Sequence, residues 1–253
     1  MEKVGLIPCA GRGSRLSLPF SKEMFPDVHQ SYYSPIILHT IETMRDAGIE
    51  HLIFTINPLK TDLLKYLGNG KQFGLNFSYC IHPEPKSLAH SINEAYHLIK
   101  DKTVAFAMPD TIIQPSSFMK QLIKYHEDNQ DSKITLGCFK TDKPWKFGMV
   151  KMKNNLAEEI IDKPKSTSLE WMWGTIIWEP ECTEQINQFI KDSDEDNSKE
   201  LILSDTFKRL LERKHVYCCC FNDGQYKDLG TYDEINDWSN NLLKNSNDIN
   251  DTL

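Results

Sequence analysis

Val4-Gly5-Leu6-Ile7-Pro8-Cys9-Ala10-Gly11-Arg12-Gly13-Ser14-Arg15-Leu16 is the stretch from which the rest of the chain can be read. A short apolar run ends at Pro8, a breaker, and empties into a glycine-containing loop. A buried first strand followed by a ligand loop is the expected structure. Glycine lacks a Cβ, so backbone N–H groups can approach a ligand closely, and successive N–H groups in such a loop form an anion-binding concavity. Arg15 and Lys22 lie just beyond and can add charge-assisted hydrogen bonds to phosphate oxygens. Two familiar phosphate loops are excluded. Leu16 stands where a dinucleotide fingerprint needs its third glycine, and no Gly-Lys-Ser/Thr of a Walker loop is present. Taken alone, the stretch is equally an ordinary strand-to-helix turn with exposed basic residues.

Outward from this loop, strand and helix patterns alternate. Strands are expected at Val4–Pro8, His51–Ile56, Leu75–Ile81, Thr103–Met108 and Lys133–Phe139. Helices are expected at Pro35–Ala47, Pro58–Leu67, Leu88–Ile99 and Ser116–Asp128, with Gly48 and Gly68 as stops. Short connections between such units imply βαβ crossovers and a mostly parallel sheet with helices on both faces. After Phe139 the rhythm changes. Phe147–Met152, Ala157–Ile161 and Glu170–Trp178 read as strands without intervening helices, an antiparallel or mixed extension. Helices at Glu181–Ile190 and Glu200–Arg213 flank the polar loop Lys191–Ser198. A strand Val216–Phe221 and a helix Thr231–Lys244 close the pattern. The fold class is α/β, Rossmann-like, with a mixed sheet. Residues 1–244 are expected to form one domain, with 245–253 a polar tail.

At 253 residues the chain can bury one large core. Hydrophobic content of 40% and charged content of 26% are those of a globular protein. A net charge of −7 argues against a nucleic-acid-binding surface. Neither a leader pattern nor an apolar run of membrane-spanning length is visible, so a cytoplasmic protein with no membrane partner is expected. Seven cysteines without paired spacing fit a reducing compartment. Cys218-Cys219-Cys220 reads as part of a buried strand rather than a metal site, since no Cys-x-x-Cys is present.

Ligands of open α/β sheets bind beyond the carboxyl ends of the strands. The loop Ala10–Arg15 follows the first strand, and Asp110 follows the strand Thr103–Met108. Both therefore belong on one rim, to which Asp228 can return after a later strand-like run. Two carboxylates with triphosphate oxygens suit Mg²⁺, a hard cation that relies on few protein groups. Asp110 is equally able to cap its own turn, and Asp228 alone reads as a turn residue.

Gly-x-Gly-Ser-Arg-Leu followed by Lys22-Glu23-Met24-Phe25-Pro26 resembles the sugar-nucleotide pyrophosphorylases, and among them the bacterial glucose-1-phosphate uridylyl- and thymidylyltransferases. Further segments are similar in the family's order: Lys86-Ser87-Leu88-Ala89-His90, Met108-Pro109-Asp110, Phe147-Gly148-Met149-Val150, Asp162-Lys163-Pro164-Lys165 and Asp228-Leu229-Gly230. The resemblance covers about residues 3–238. It implies the nucleotide-diphospho-sugar transferase type of fold and attack of a sugar 1-phosphate on the α-phosphorus of a nucleoside triphosphate, with pyrophosphate leaving. It assigns catalysis to Arg15, Lys22, Asp110 and Asp228. Mg²⁺ would sit on Asp110 and Asp228. The nucleotide would meet Ala10, Gly11, Gly13, Arg15, Lys22, His82, Ser87 and Leu88, and the sugar phosphate Gly148, Asp162, Lys163 and Gly174, with Gly148 and Gly174 leaving space for the sugar. UTP or dTTP is the favoured donor.

The chain departs from the family's pattern in places. Arg15 and Lys22 lie closer together than in typical uridylyl- and thymidylyltransferases. His82 stands in the segment that carries a base-reading Gln, Ser87 replaces a glycine and Asp162 replaces Glu. A nucleotide-sugar-dependent glycosyltransferase is a competing reading, but Ile112 breaks its Asp-x-Asp and the Arg15–Lys22 loop would have no use. A silent nucleotide-sugar-binding protein would not need to keep both Asp residues with Arg15 and Lys22. The sugar and the oligomeric state, a homo-oligomer included, stay open.

Overall fold

Both faces of the first strand carry apolar residues, alternating from one side of the sheet to the other, and this sets the architecture. A computed structural model describes residues 1–193 and 201–240. In β1 (Lys3–Cys9), Val4 and Leu6 enter one hydrophobic cluster, while Ile7 and Cys9 enter another. A strand buried on both faces must lie inside a sheet covered on both sides. The chain continues through α1 (Ile37–Asp46), β2 (His51–Ile56), α2 (Thr61–Leu67), β3 (Asn76–Ile81), α3 (Leu88–Glu94), α4 (Tyr96–Ile99), β4 (Thr103–Ala107), β5 (Thr111–Gln114), α5 (Phe118–Asp128) and β6 (Ile134–Lys140). Then come β7 (Gly148–Lys153), β8 (Leu156–Asp162), β9 (Trp171–Trp178), α6 (Pro180–Ser193), α7 (Lys208–Glu212), β10 (Val216–Phe221), β11 (Gln225–Asp228) and a helix over 232–240.

Among the described residues, nine strands form one sheet in the order β3-β2-β1-β4-β9-β6-β10-β8-β7. From β3 to β4 every pairing is parallel. Strand β9 runs antiparallel to both β4 and β6, and β7 and β8 form an antiparallel pair at the far edge. The parallel half is therefore the expected βαβ region, and the mixed half is the expected extension. Helices α3 and α6 pack on one face through Ala89, Ile92 and Ile186, and α1, α2 and α5 on the other through Ile37, Met44, Leu63 and Leu122.

Three expectations are corrected. The helix expected over Leu88–Ile99 is two helices, because at Ala95 the N–H turns to the Ile92 carbonyl and tightens the turn. The helix expected over Glu200–Arg213 is a 3₁₀ turn, Leu203–Phe207, followed by the short α7. Lys191 to Ser193, expected in the polar loop, are the last residues of α6. The rest of that loop, 194–198, and the tail 245–253 lie outside the described residues.

Cys218 is buried and Cys219 and Cys220 are half-buried in β10, as the strand reading expects, and all seven cysteines are free thiols. Among the described residues no helix is long and apolar enough to cross a membrane.

Candidate active site

Strand register puts the expected ligand residues on one rim. Cys9 is level with Ile56, and Ile56 is level with Ile81. Ala10, Asn57 and His82 therefore leave the ends of β1, β2 and β3 side by side. Strand β4 runs beside β1 on the other flank, and Asp110 follows its end. This is the carboxyl edge where open α/β sheets bind ligands.

The glycine loop is fastened at its far side. Leu16 is buried with Ile36, Ile112, Leu229 and Trp238, so the residue that breaks the dinucleotide pattern is an anchor. Gly11 is exposed and no heavy atom would meet a Cβ there. Gly13 sits at φ +66°, with the aliphatic stem of Lys22 against it, a left-handed position that favours glycine.

Asp228 returns to the rim by a device too short to see in the sequence. Strand β11 pairs antiparallel with β5, and Asp228 lies opposite Thr111. The Leu229 N–H donates to the Asp110 carbonyl at 3.0 Å. Two carboxylates more than a hundred positions apart in the chain are thus held next to each other.

Lys22 forms an ion pair with Asp110, and both side chains are largely shielded from water. Burial works against the Lys22 ammonium, but the Asp110 and Glu23 carboxylates outweigh it and hold its pKa above the usual lysine value. Burial pushes the Asp228 carboxyl up to about 6; the negative charges of Asp110 and Glu234 add to this, and Lys22 and Arg15 oppose it. Arg15 reaches toward the same place. Its guanidinium and the Asp228 carboxylate both crowd the space beside Gly230, where an added Cβ would lie 3.5 Å from the Arg15 Nη2 and 3.0 Å from the Asp228 Oδ1.

At the other end of the parallel rim, Ser87 caps α3 by accepting from the His90 N–H at 3.3 Å, and Leu88 is the first residue of that helix. His82 is buried, its N–H donates to the Ile56 carbonyl at 2.9 Å, and its ring Nδ1 has no hydrogen-bond partner. Burial lowers the His82 pKa, so its ring is neutral at physiological pH. A neutral imidazole offers one donor and one acceptor.

The expected sugar-phosphate residues gather on the mixed half. Gly148 and Asp162 are cross-strand partners, and the Lys163 N–H donates to the Phe147 carbonyl at 2.9 Å. Lys163 is exposed, has φ +44°, and its ammonium lies 3.7 Å from the Asp162 carboxylate. The two glycines have close protein neighbours. An added Cβ would lie 2.3 Å from the Trp173 Nε1 at Gly148 and 2.4 Å from the Tyr226 ring at Gly174. The opening expected beside Gly174 is therefore filled by Tyr226. The open space is a cleft of ≈ 590 Å³ beside Asp228, lined by Phe147, Tyr226, Lys227, Glu234 and Trp238, and neither Lys163 nor Gly174 lines it. The Trp173 indole N–H is buried without a partner.

Sequence reading missed the β5–β11 ribbon, the cleft wall contributed by Glu234 and Trp238, and a buried Lys60–Glu23 ion pair beneath the rim. The Lys-Glu-Met-Phe-Pro segment contained the signal for that pair, since a charged residue amid apolar ones needs a partner.

The model of the nucleotidyl transferase family matches residues 4–245. A glucose-1-phosphate thymidylyltransferase of Neisseria meningitidis serogroup A is 24% identical over 237 residues, which are 92% of this chain and 80% of that one. Mannose-1-phosphate guanyltransferase 2 of Candida glabrata is 26% identical over 234 residues, 89% of this chain and 61% of the relative, so the chain spans about three fifths of that protein's length. A solved structure of a putative glucose-1-phosphate thymidylyltransferase from Bacillus anthracis superposes with a TM-score of 0.79 at 20% identity, covering 94% of each chain. That superposition bears on the fold alone.

Proposed function

Since this chain belongs to the nucleotidyl transferase family, we propose that it joins a nucleoside triphosphate to a sugar 1-phosphate, releasing pyrophosphate and a nucleotide sugar. The carrying observation is the convergence of Asp110, Asp228, Lys22 and Arg15 at the end of the parallel strands, produced by the pairing of β11 with β5. Phosphoryl chemistry of this kind needs positioning and charge neutralisation rather than a protein nucleophile.

The residues divide the work. Backbone N–H groups of the Ala10–Gly13 loop meet the triphosphate. Lys22 and Arg15 place positive charge against its phosphates, where negative charge grows as pyrophosphate departs. His82, Ser87 and Leu88 border the base. Lys163, on the mixed half of the sheet, holds the acceptor phosphate, with Gly148 and Asp162 beside it. Residues 1–244 act as one domain that binds both substrates, in the cytoplasm.

Asp110 and Asp228 fit a divalent cation. They are neighbouring carboxylates, and Asp228 is pushed up to about 6 by burial and by Asp110, so added positive charge stabilises the pair. Mg²⁺ is held by one or two carboxylates plus substrate phosphates, and among the described residues no third acidic, Cys or His ligand completes a protein-only site. When bound there, Mg²⁺ would neutralise phosphate charge.

UTP or dTTP is the proposed donor, on the motif resemblance and the thymidylyltransferase relative; the guanyltransferase relative keeps GTP in the test. The test is pyrophosphate release from a panel of nucleoside triphosphates against several sugar 1-phosphates. Turnover confined to one donor–acceptor pair is expected. No release from any pair would refute the proposal.

A further inference from the structure

Beneath the donor loop lies a group of polar side chains that the proposed chemistry does not use. Lys60 immediately precedes α2 and is buried, and its ammonium donates to the Glu23 Oε1 at 2.6 Å. Glu23 is fully buried on the 3₁₀ turn Lys22–Met24, and its second carboxylate oxygen has no hydrogen-bond partner. Two residues beyond Lys60, the Asp62 carboxylate accepts two hydrogen bonds from Ser21, one from its N–H at 2.7 Å and one from its hydroxyl at 2.6 Å. The loop between β2 and α2, together with the first turn of α2, therefore grips the residues on both sides of Lys22.

The same loop also reaches the base side. The Asn57 amide donates to the Pro83 carbonyl at 3.0 Å, next to His82, and its oxygen accepts from the Leu59 N–H at 3.0 Å. Residues 57–62 are thus a truss between the Lys22 turn and the His82 loop.

Stability does not account for such a pair. Replacing a buried ion pair by apolar residues of similar size is often neutral or stabilising, whereas a buried charge can specify one arrangement. Here the signs alternate from Lys60 to Glu23 to Lys22 to Asp110. Each charge is held by its neighbour, and Lys22 is the member nearest the ligand loop.

We propose that Lys60 and Asp62 are positioning residues, which hold the Ser21–Met24 turn so that the Lys22 ammonium is preorganised for the phosphates of the donor. This rests on the reading above that Lys22 meets a triphosphate. Preorganisation of this sort acts on donor binding and turnover and leaves the acceptor side untouched.

The test uses the full chain with the donor and acceptor selected by the substrate panel. Lys60→Met alone strands Glu23 in the interior, so it is accompanied by the charge-neutral double variant Lys60→Met/Glu23→Gln and by Asp62→Asn, a milder change at a half-buried carboxylate. Triphosphate affinity is measured by calorimetry without acceptor, KM and kcat for each substrate by pyrophosphate release, and folding by urea unfolding. In the double variant a triphosphate KM raised about tenfold or more is expected, with acceptor KM unchanged and the unfolding midpoint near that of the wild type. Asp62→Asn should show a smaller rise of the same kind, and Lys60→Arg should restore part of the affinity.

A merely structural role predicts the reverse: recovered stability together with recovered kinetics. Wild-type donor affinity and turnover in the folded double variant, or in Asp62→Asn if the double variant does not fold, would overturn the positioning role. A wild-type protein that binds no triphosphate would overturn the functional reading and this inference with it. Binding by wild type and variants alike would overturn this inference alone.

Discussion

The two halves of the rim handle charge in opposite ways. On the parallel half, Lys60, Glu23 and Asp110 are buried, Lys22 is largely shielded, and the four form two ion pairs beside a loop anchored by Leu16. On the mixed half, Lys163 is 60% exposed and its nearest carboxylate is 3.7 Å away, a separation at which an exposed pair contributes little. The donor side is built before any ligand arrives. The proposed acceptor side keeps an exposed lysine that can turn toward a phosphate. A triphosphate is flexible and highly charged, so a preformed cradle lowers the cost of ordering it. A sugar monophosphate is smaller, and a single mobile cation can serve it.

The contrast breaks most visibly at Lys22. Lys22→Met should lower kcat by about 10²–10³-fold, the size seen when one preorganised charge-stabilising group is lost. It should also destabilise the protein by about 3–5 kcal/mol, because Asp110 is left buried without its partner. Arg15 is exposed, so Arg15→Ala should share the kinetic defect without the stability loss. Steady-state kinetics and urea unfolding of both variants check this. Equal stability losses would erase the distinction between buried and exposed charge on this rim.

Asp228 sharpens the comparison because its two effects have opposite signs. Its pKa is raised from 3.8 to about 6, so the folded protein binds the proton more tightly than the unfolded chain. The favourable contribution is present below pH 3.8 and fades as pH rises through about 6. Without divalent cation, Asp228→Asn should therefore stabilise the protein at pH 7.5, by on the order of 1–3 kcal/mol, and flatten the pH dependence of stability between 4 and 6. Turnover with Mg²⁺ should fall by about 10²-fold or more. A variant less stable than wild type at pH 7.5 would contradict the buried, repelled carboxylate.

How much of this could be read beforehand follows the same division. The first strand, its loop and Asp110 were legible because a parallel strand buried on both faces leaves a continuous apolar run that ends abruptly. The strands His51–Ile56 and Val216–Phe221 have the bounds expected. What brings Asp228 to Asp110 was not legible. Ile112-Ile113 and Tyr226 sit in strands of four residues, too short for a period of two to declare itself. Nor was the role of Gly174 visible. Its lack of a Cβ suggested room for a sugar, whereas packing assigns that room to the Tyr226 ring. Sequence shows that a glycine leaves space; only tertiary contacts show what fills it.

On the acceptor side, Lys163→Met should raise the acceptor KM by about tenfold, the loss of one exposed charge contact to a phosphate, with donor affinity unchanged. Titration of each substrate separately checks it. A defect confined to the donor would move Lys163 to the other half of the rim.

The smallest effect is expected at His82, where the issue is which base is accepted rather than whether reaction occurs. The ring is buried and uncharged at neutral pH, and its Nδ1 is unpaired. As a neutral ring beside the proposed base site, with one donor and one acceptor, His82 should favour one base over another by up to about tenfold. His82→Phe removes the polar atom while keeping a ring of similar shape. It should lower kcat/KM for the preferred donor by about five- to tenfold, leave the least preferred triphosphate nearly unchanged, and not alter the Mg²⁺ requirement or the acceptor KM. The measurement is the ratio of kcat/KM across the triphosphate panel in wild type and variant. A ratio that does not move would place base reading elsewhere on the rim, with the Ser87 cap of α3 the next residue to vary.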